Sequence, residues 1–209
     1  MTNTDAARAL MSLTQDWAVL KREGEPFRLS SGILTNYYFD AKRVMLTPQA
    51  FMLIGQLVYE HAKRVGAVAV GGLAAGCIPM ADAALAYACT QGDMEMRTFF
   101  VRPEKKEHGT QELLFEGHYS DPATGKDEPL IGPGRRVLVV DDVLTTGDSM
   151  QKAIDEITRR GAQVVSVLVL VDRMAPQGQA FRDRQRSFKS LFNADNDGNL
   201  SLALEPVLA

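Results

Sequence analysis

The run Val137-Leu138-Val139-Val140-Asp141-Asp142-Val143-Leu144-Thr145-Thr146-Gly147-Asp148-Ser149 gathers the residue types best suited to chemistry on a phosphorylated sugar. Four apolar residues predict a buried strand, two carboxylates follow at its carboxyl end, and a small-residue turn leads into a helix. Backbone N–H groups of the turn from Thr145 to Ser149, at the positive end of that helix, can cradle a phosphate. The hydroxyls of Thr145, Thr146 and Ser149 add donors, and Gly147 permits close backbone approach. Asp141 and Asp142 can accept hydrogen bonds from ribose hydroxyls and favour a cationic sugar in a transition state. An Asp pair that merely caps the next helix would carry the same dipeptide, so the weight rests on the whole run. A carboxylate at Asp148 would repel a bound phosphate. Asp148 is therefore expected to cap the helix with its side chain turned away.

Four other stretches carry charge, aromatic rings or glycine in telling order. Val101-Arg102-Pro103-Glu104-Lys105-Lys106-Glu107-His108-Gly109-Thr110 is basic and also reads as a plain solvated loop. Phe27-Arg28-Leu29-Ser30-Ser31-Gly32 precedes Tyr37-Tyr38-Phe39-Asp40, whose aromatic residues would equally suit a core strand. Gly71-Gly72-Leu73-Ala74-Ala75-Gly76-Cys77-Ile78-Pro79 is a glycine-rich turn, and Val171-Asp172-Arg173 ends an apolar run. Arg173 has an alternative reading as an ion-pair partner of Asp172. His61 and His118 read as structural or exposed.

The run from Val137 to Ser149 resembles the motif of type I phosphoribosyltransferases that binds phosphoribosyl pyrophosphate (PRPP). The loop from Arg102 to Gly109 resembles the catalytic loop of the orotate phosphoribosyltransferases, and the Phe27–Asp40 stretch resembles their base-binding hood. The resemblance covers roughly residues 20–175. It implies an α/β fold of the type I phosphoribosyltransferases: a mainly parallel five-stranded sheet flanked by helices, a small N-terminal hood and a mobile catalytic loop. It implies that Arg102, Lys106 and His108 close over pyrophosphate, that Val143, Leu144 and the Thr145–Ser149 turn join the Asp pair on PRPP, and that Tyr38, Phe39, Thr145 and Arg173 meet orotate. A bidentate guanidinium is the natural partner for a carboxylate. The implied reaction is Mg²⁺-dependent transfer of the phosphoribosyl group from PRPP to orotate, giving orotidine 5′-monophosphate for pyrimidine synthesis. Mg²⁺ sheds water reluctantly, so PRPP and waters are expected to hold it, with no dedicated protein ligands. Members are homodimers whose loop reaches the neighbouring site. Lysines that some members use are absent here at Ser30, Gly76 and Pro103. A purine-base enzyme would call for a different hood and loop, and a non-catalytic PRPP-sensing regulator for a DNA-binding segment.

These residues need elements to hold them. A helix is expected from a Thr4 cap to about Lys21, with Leu10, Leu13, Trp17 and Leu20 on one face. Thr47-Pro48 opens another, with Phe51, Ile54, Val58 and Ala62 aligned and Gly66 as its stop. Ala67–Val70, Arg97–Val101, Val137–Val140 and Val164–Val171 read as strands, alternating with helices from Pro79 to about Ala88 and from about Asp148 to Arg160. Uniformly apolar strands alternating with helices imply a parallel sheet covered on both faces, with ligands beyond the strands' carboxyl ends. The segment from Pro103 to about Pro133 is too long and polar for a routine connector, and reads as a lid or disordered. One domain is expected over 1–209, its hood mainly 1–45 plus the carboxy-terminal segment and its core about 46–175.

Composition sets the outer limits. The chain has 209 residues, 45% hydrophobic and 23% charged, with net charge −3. That balance gives no reason to expect nucleic acid, and no apolar run approaches the ~20 residues of a membrane helix. The amino terminus lacks a signal-peptide pattern. Cys77 and Cys89 sit in apolar surroundings and read as buried thiols in a reducing, cytoplasmic setting.

Overall fold

The computed structural model describes residues 1–22, 24–28, 32, 34–104, 114–116, 120, 124–185 and 187–203. In chain order the elements are α1 (Asn3–Ala18), β1 (Val19–Lys21), β2 (Phe27–Arg28), β3 (Leu34–Thr35), β4 (Tyr37–Phe39), α2 (Lys42–Met45) and α3 (Pro48–Arg64). Next come β5 (Ala69–Leu73), α4 (Ile78–Thr90), β6 (Arg97–Val101), β7 (Leu114–Glu116), β8 (Arg136–Leu144), α5 (Asp148–Arg159) and β9 (Gln163–Asp172). The chain closes with α6 (Gln179–Arg184), β10 (Phe188–Ala194) and β11 (Leu200–Leu202).

The main sheet runs β11-β10-β9-β8-β5-β6-β7. Its five inner strands are parallel, and antiparallel β11 and β7 close its two ends. Alternation along β8 divides the core. Leu138 and Val140 pack with α3 and α4, while Val137 and Val139 pack with Met150, Ala153 and Ile157 of α5. Strand order reverses between β5 and β8, the place where an open α/β sheet leaves a crevice for ligand. The two strands pair only from Ala69↔Val137 to Gly71↔Val139, and then separate.

Several expectations need correction. Thr2, not Thr4, caps α1, its hydroxyl oxygen accepting the Asp5 N–H at 3.2 Å. The helix stops at Ala18 because Val19–Lys21 pairs with Tyr37–Phe39. Its buried stripe is Ala6, Leu10 and Thr14, with Trp17 exposed; the small side chains suit close packing on α3. β8 continues through the Asp pair to Leu144, because Val143 and Leu144 still pair with Val171 and Asp172 of β9. The polar stretch after Pro103 holds an edge strand, β7, and ends in the core at Leu130 and Ile131. β10 adds a fifth parallel strand beyond residue 175, where the core was expected to end. Cys77 is buried as expected, but Cys89 is exposed.

His61 of α3 is structural. The Ser166 hydroxyl donates to the Ser187 carbonyl at 2.8 Å, so Ser166 Oγ accepts the His61 Nε2–H at 2.9 Å. His61 Nδ1 is buried with no partner among the described residues. Protonating it would bury an unsatisfied charge, and burial pulls the His61 pKa from 6.5 to about 4. The neutral ring's contribution is whole above 6.5 and is lost as pH falls toward 4. That window corresponds to about 3 kcal/mol. Thermal melts from pH 7.5 to 4 should therefore show wild type losing stability faster than His61→Gln, and parallel curves would refute the account.

Candidate active site

Where β8 leaves β5, Asp141 is 5% exposed and Asp142 half-buried. Asp141 Oδ2 accepts the Ser149 hydroxyl at 2.9 Å and Oδ1 accepts the Asp142 N–H at 3.1 Å. Asp142 Oδ1 accepts the Val143 N–H at 2.8 Å. Burial, then the neighbouring Asp142 charge, pushes Asp141 well above the usual carboxylate range. Burial also raises Asp142, against the Val143 N–H and the charge of Lys42. The turn between β5 and α4 closes over this pair at Gly76. A Cβ there would overlap Asp141 Oδ1 and stand 3.0 Å from Asp142 Oδ1. A side chain at Gly76 would require the Asp141 carboxylate to shift, so glycine suits this close approach.

Past the pair, Gly147 at φ 92° caps α5. The N–H groups of Thr146 and Gly147 meet no acceptor among the described residues, and they sit at the positive end of a helix. Next to this turn lies a cleft of about 460 Å³ lined by Thr145, Arg173, Thr35, Asn36, Tyr37 and Asn196, among others. Arg173 Nη2 donates to Thr35 Oγ1 at 3.3 Å, and its guanidinium carbon lies 4.4 Å from the Tyr37 ring centroid. The site therefore has an acidic end, an anion-ready turn and a cleft with a cation on its wall.

Residues 41–197 match the family model of the phosphoribosyl transferase domain. An orotate phosphoribosyltransferase of Bradyrhizobium sp. (strain ORS 278) is 37% identical over 166 residues, 79% of this chain and 84% of that protein. Another, from Rhodopirellula baltica, is 35% identical over 195 residues, 90% of this chain and 92% of that one. The crystal structure of the Mycobacterium tuberculosis H37Rv enzyme in complex with PRPP superposes with TM-score 0.66 at 28% identity, covering 90% of this chain and 96% of that one. This chain belongs to the orotate phosphoribosyltransferases.

Of the residues expected to form an orotate phosphoribosyltransferase site, the fold brings the Asp pair, Ser149, the turn, Thr145 and Arg173 together around the carboxyl ends of β8 and β9. Arg102 follows β6 on the other side of β5. Lys106 and His108 lie outside the described residues. Other expectations are corrected. Asp148 is the first residue of α5, not its cap, and its carboxylate accepts the Thr146 hydroxyl at 2.9 Å. Leu144 is a core residue whose carbonyl accepts the Arg173 N–H at 3.2 Å, and Val143 is half-buried against the core. Neither Tyr38 nor Phe39 lines the cleft: Tyr38 lies against Phe27, with ring centroids 5.8 Å apart, and Phe39 is buried in the core. Tyr37 lines it instead. The ion-pair reading of Arg173 also fails. Asp172 is buried and bonded to Arg182 at 3.0 Å, leaving Arg173 directed to the cleft. Thr35, Tyr37 and Asn196 were missed; the turn signal Asp195–Gly198 was visible, but not its partner.

Because the folded Asp141 pKa is raised, its ionisation costs stability as pH rises through the folded value. Asp141→Asn should melt higher than wild type at pH 8, with the gap closing toward pH 4. Its kcat/KM should fall by about 10²-fold or more. An equally active variant would mean that the pair only holds the turn.

Proposed function

We propose that this chain transfers the 5-phosphoribosyl group of PRPP to orotate, releasing pyrophosphate and forming orotidine 5′-monophosphate. The observation that carries the reading is Arg173, fixed on the wall of a cleft that shares Thr145 with the phosphate-ready turn. A planar guanidinium there suits the carboxylate that sets orotate apart from other pyrimidine bases.

In this reading the Thr145–Ser149 turn binds the 5′-phosphate through backbone N–H groups and hydroxyls. Asp141 and Asp142 accept the ribose hydroxyls, and their charge grows in value as C1 becomes cationic. The bond from C1 to pyrophosphate breaks, its electron pair leaving with pyrophosphate, as orotate N1 bonds C1 and gives up its proton. Arg102 is assigned to the departing pyrophosphate. Lys106 and His108 are assigned to it on the sequence pattern alone.

Among the described residues no group of three or more His, Cys, Asp or Glu converges as a metal cage. The Asp pair, with three oxygens already committed to Ser149 and to the Asp142 and Val143 N–H groups, fits waters or hydroxyls better than a bare ion. The residues therefore fit a Mg²⁺ carried on PRPP, with Asp141 and Asp142 meeting its waters. That ion would neutralise pyrophosphate charge as the group leaves.

The amino-terminal 1–45 and the carboxy-terminal turn serve as the hood over the base, within one domain. The enzyme works as a homodimer whose Arg102–Gly109 loop serves the neighbouring site, in the cytoplasm, where free thiols such as Cys89 persist.

An assay with PRPP and Mg²⁺ against orotate, uracil, adenine, hypoxanthine and xanthine should consume orotate alone; faster use of a purine would overturn the substrate assignment. For the dimer, inactive Lys106→Ala and Asp141→Asn proteins should regain part of the activity when mixed. A mixed dimer owns one site with both defects and one with neither. No recovery despite proven subunit exchange would show that each chain completes its own site.

A further inference from the structure

The wall of the base cleft extends behind Arg173 into the carboxy-terminal turn. Tyr37 is 4% exposed, and the Arg173 guanidinium carbon lies 4.4 Å from its ring centroid. Stacking on an aromatic face holds a guanidinium in one plane, and the Thr35 hydroxyl fixes its rotation within that plane. Tyr37 is itself held by the turn between β10 and β11. A Cβ on Gly198 would stand 2.8 Å from Tyr37 Cγ and 2.9 Å from Cδ2, so the turn's backbone lies directly on the ring. Gly198 also has φ +77°, a conformation that side chains resist.

The turn is rigid for visible reasons. Asp195 Oδ1 accepts the N–H groups of Asp197 at 2.9 Å and Asn199 at 2.8 Å. It is clamped to α1 from both sides of one amide: Gln15 Nε2 donates to the Gly198 carbonyl at 3.2 Å, and Gln15 Oε1 accepts the Leu200 N–H at 2.7 Å. The Lys21 ammonium donates to Asn199 Oδ1 at 3.2 Å. The two ends of the chain thus meet on the ring that carries Arg173.

We propose that Tyr37, seated by Gly198 of the carboxy-terminal turn, is a positioning residue that fixes the Arg173 guanidinium for the carboxylate of the base. This rests on the orotate assignment above. Tyr37→Leu should raise the KM for orotate about tenfold, leaving the KM for PRPP unchanged. Tyr37→Phe keeps the ring but loses the hydroxyl beside Arg173, and should fall between wild type and Tyr37→Leu. Gly198→Ala, which displaces the ring without removing it, should raise the orotate KM in the same selective way, and covers the case in which Tyr37→Leu does not fold. In an Arg173→Ala background Tyr37→Leu should cost nothing further, because it acts through the missing guanidinium. Full additivity with Arg173→Ala, or an equal rise in the PRPP KM, would overturn the proposal. If Arg173→Ala raises the orotate KM and neither Tyr37→Leu nor Gly198→Ala does, the positioning role alone fails. If Arg173→Ala leaves it unchanged, the orotate assignment fails as well.

Discussion

Two carboxylates on consecutive residues of an interior strand are the constraint around which the fold is arranged. Moving a charge of that size out of water costs several kcal/mol even after relaxation, and a hydrogen bond to a charged group returns about 1.5–3 kcal/mol. Asp141 receives two such bonds and Asp142 one. The raised values of both groups show that desolvation still wins. The pair is tolerable because it sits where β5 and β8 have stopped pairing, so that its remaining oxygens can turn to a ligand. The sheet supplies this position through its order of strands, at the one boundary where the chain reverses direction across it.

The same pair explains what its surroundings lack. The glycine turn at Gly76 lies against both carboxylates, so a side chain there would require the acids to move. Positive charge reaches the pair from elsewhere, through Lys42, which is bonded to Asp40 at 2.7 Å and acts on Asp142 through its field. Burial thus holds both acids above their ordinary values, a strain that a ligand donating hydrogen bonds would relieve.

Legibility from the sequence followed the range of the forces involved. Four of the five parallel strands, α3, α4 and α5 were readable because apolar runs and caps are local signals, and so was the acid-and-turn run that ends β8. Boundaries failed where a partner strand decided them: β8 passes through Asp141 and Asp142 only because β9 continues beside it. The aromatic run at 37–39 shows the same limit. Its aromatic character was plain, but which of Tyr37, Tyr38 and Phe39 faced the cleft depended on pairing with Val19–Lys21 and on Gly198, far away in the chain. The reading of Arg173 needed a competitor for Asp172, and that competitor, Arg182, lies in a helix the sequence did not announce.

The two halves of the site are consequently built to different standards. The acidic end rests on β8, whose backbone is locked on one side along its length by β9 and whose side chains are held by α5 on one face and by α3 and α4 on the other. The base end rests on strands of two or three residues, too short to hold a side chain by ladder bonds alone. There, order comes from side chains that tie one end of the chain to the other: Gln15 to Gly198 and Leu200, Lys21 to Asn199, and Tyr37 to Arg173. None of these contacts is local, and apart from Tyr37 and Arg173 the residues that make them bear no mark of chemistry in the sequence. Gln15 lies outside the cleft lining, yet it holds the turn whose Gly198 lies on the Tyr37 ring. Order at the cleft therefore depends on contacts between distant parts of the chain, while the Asp pair depends on one strand and its immediate neighbours.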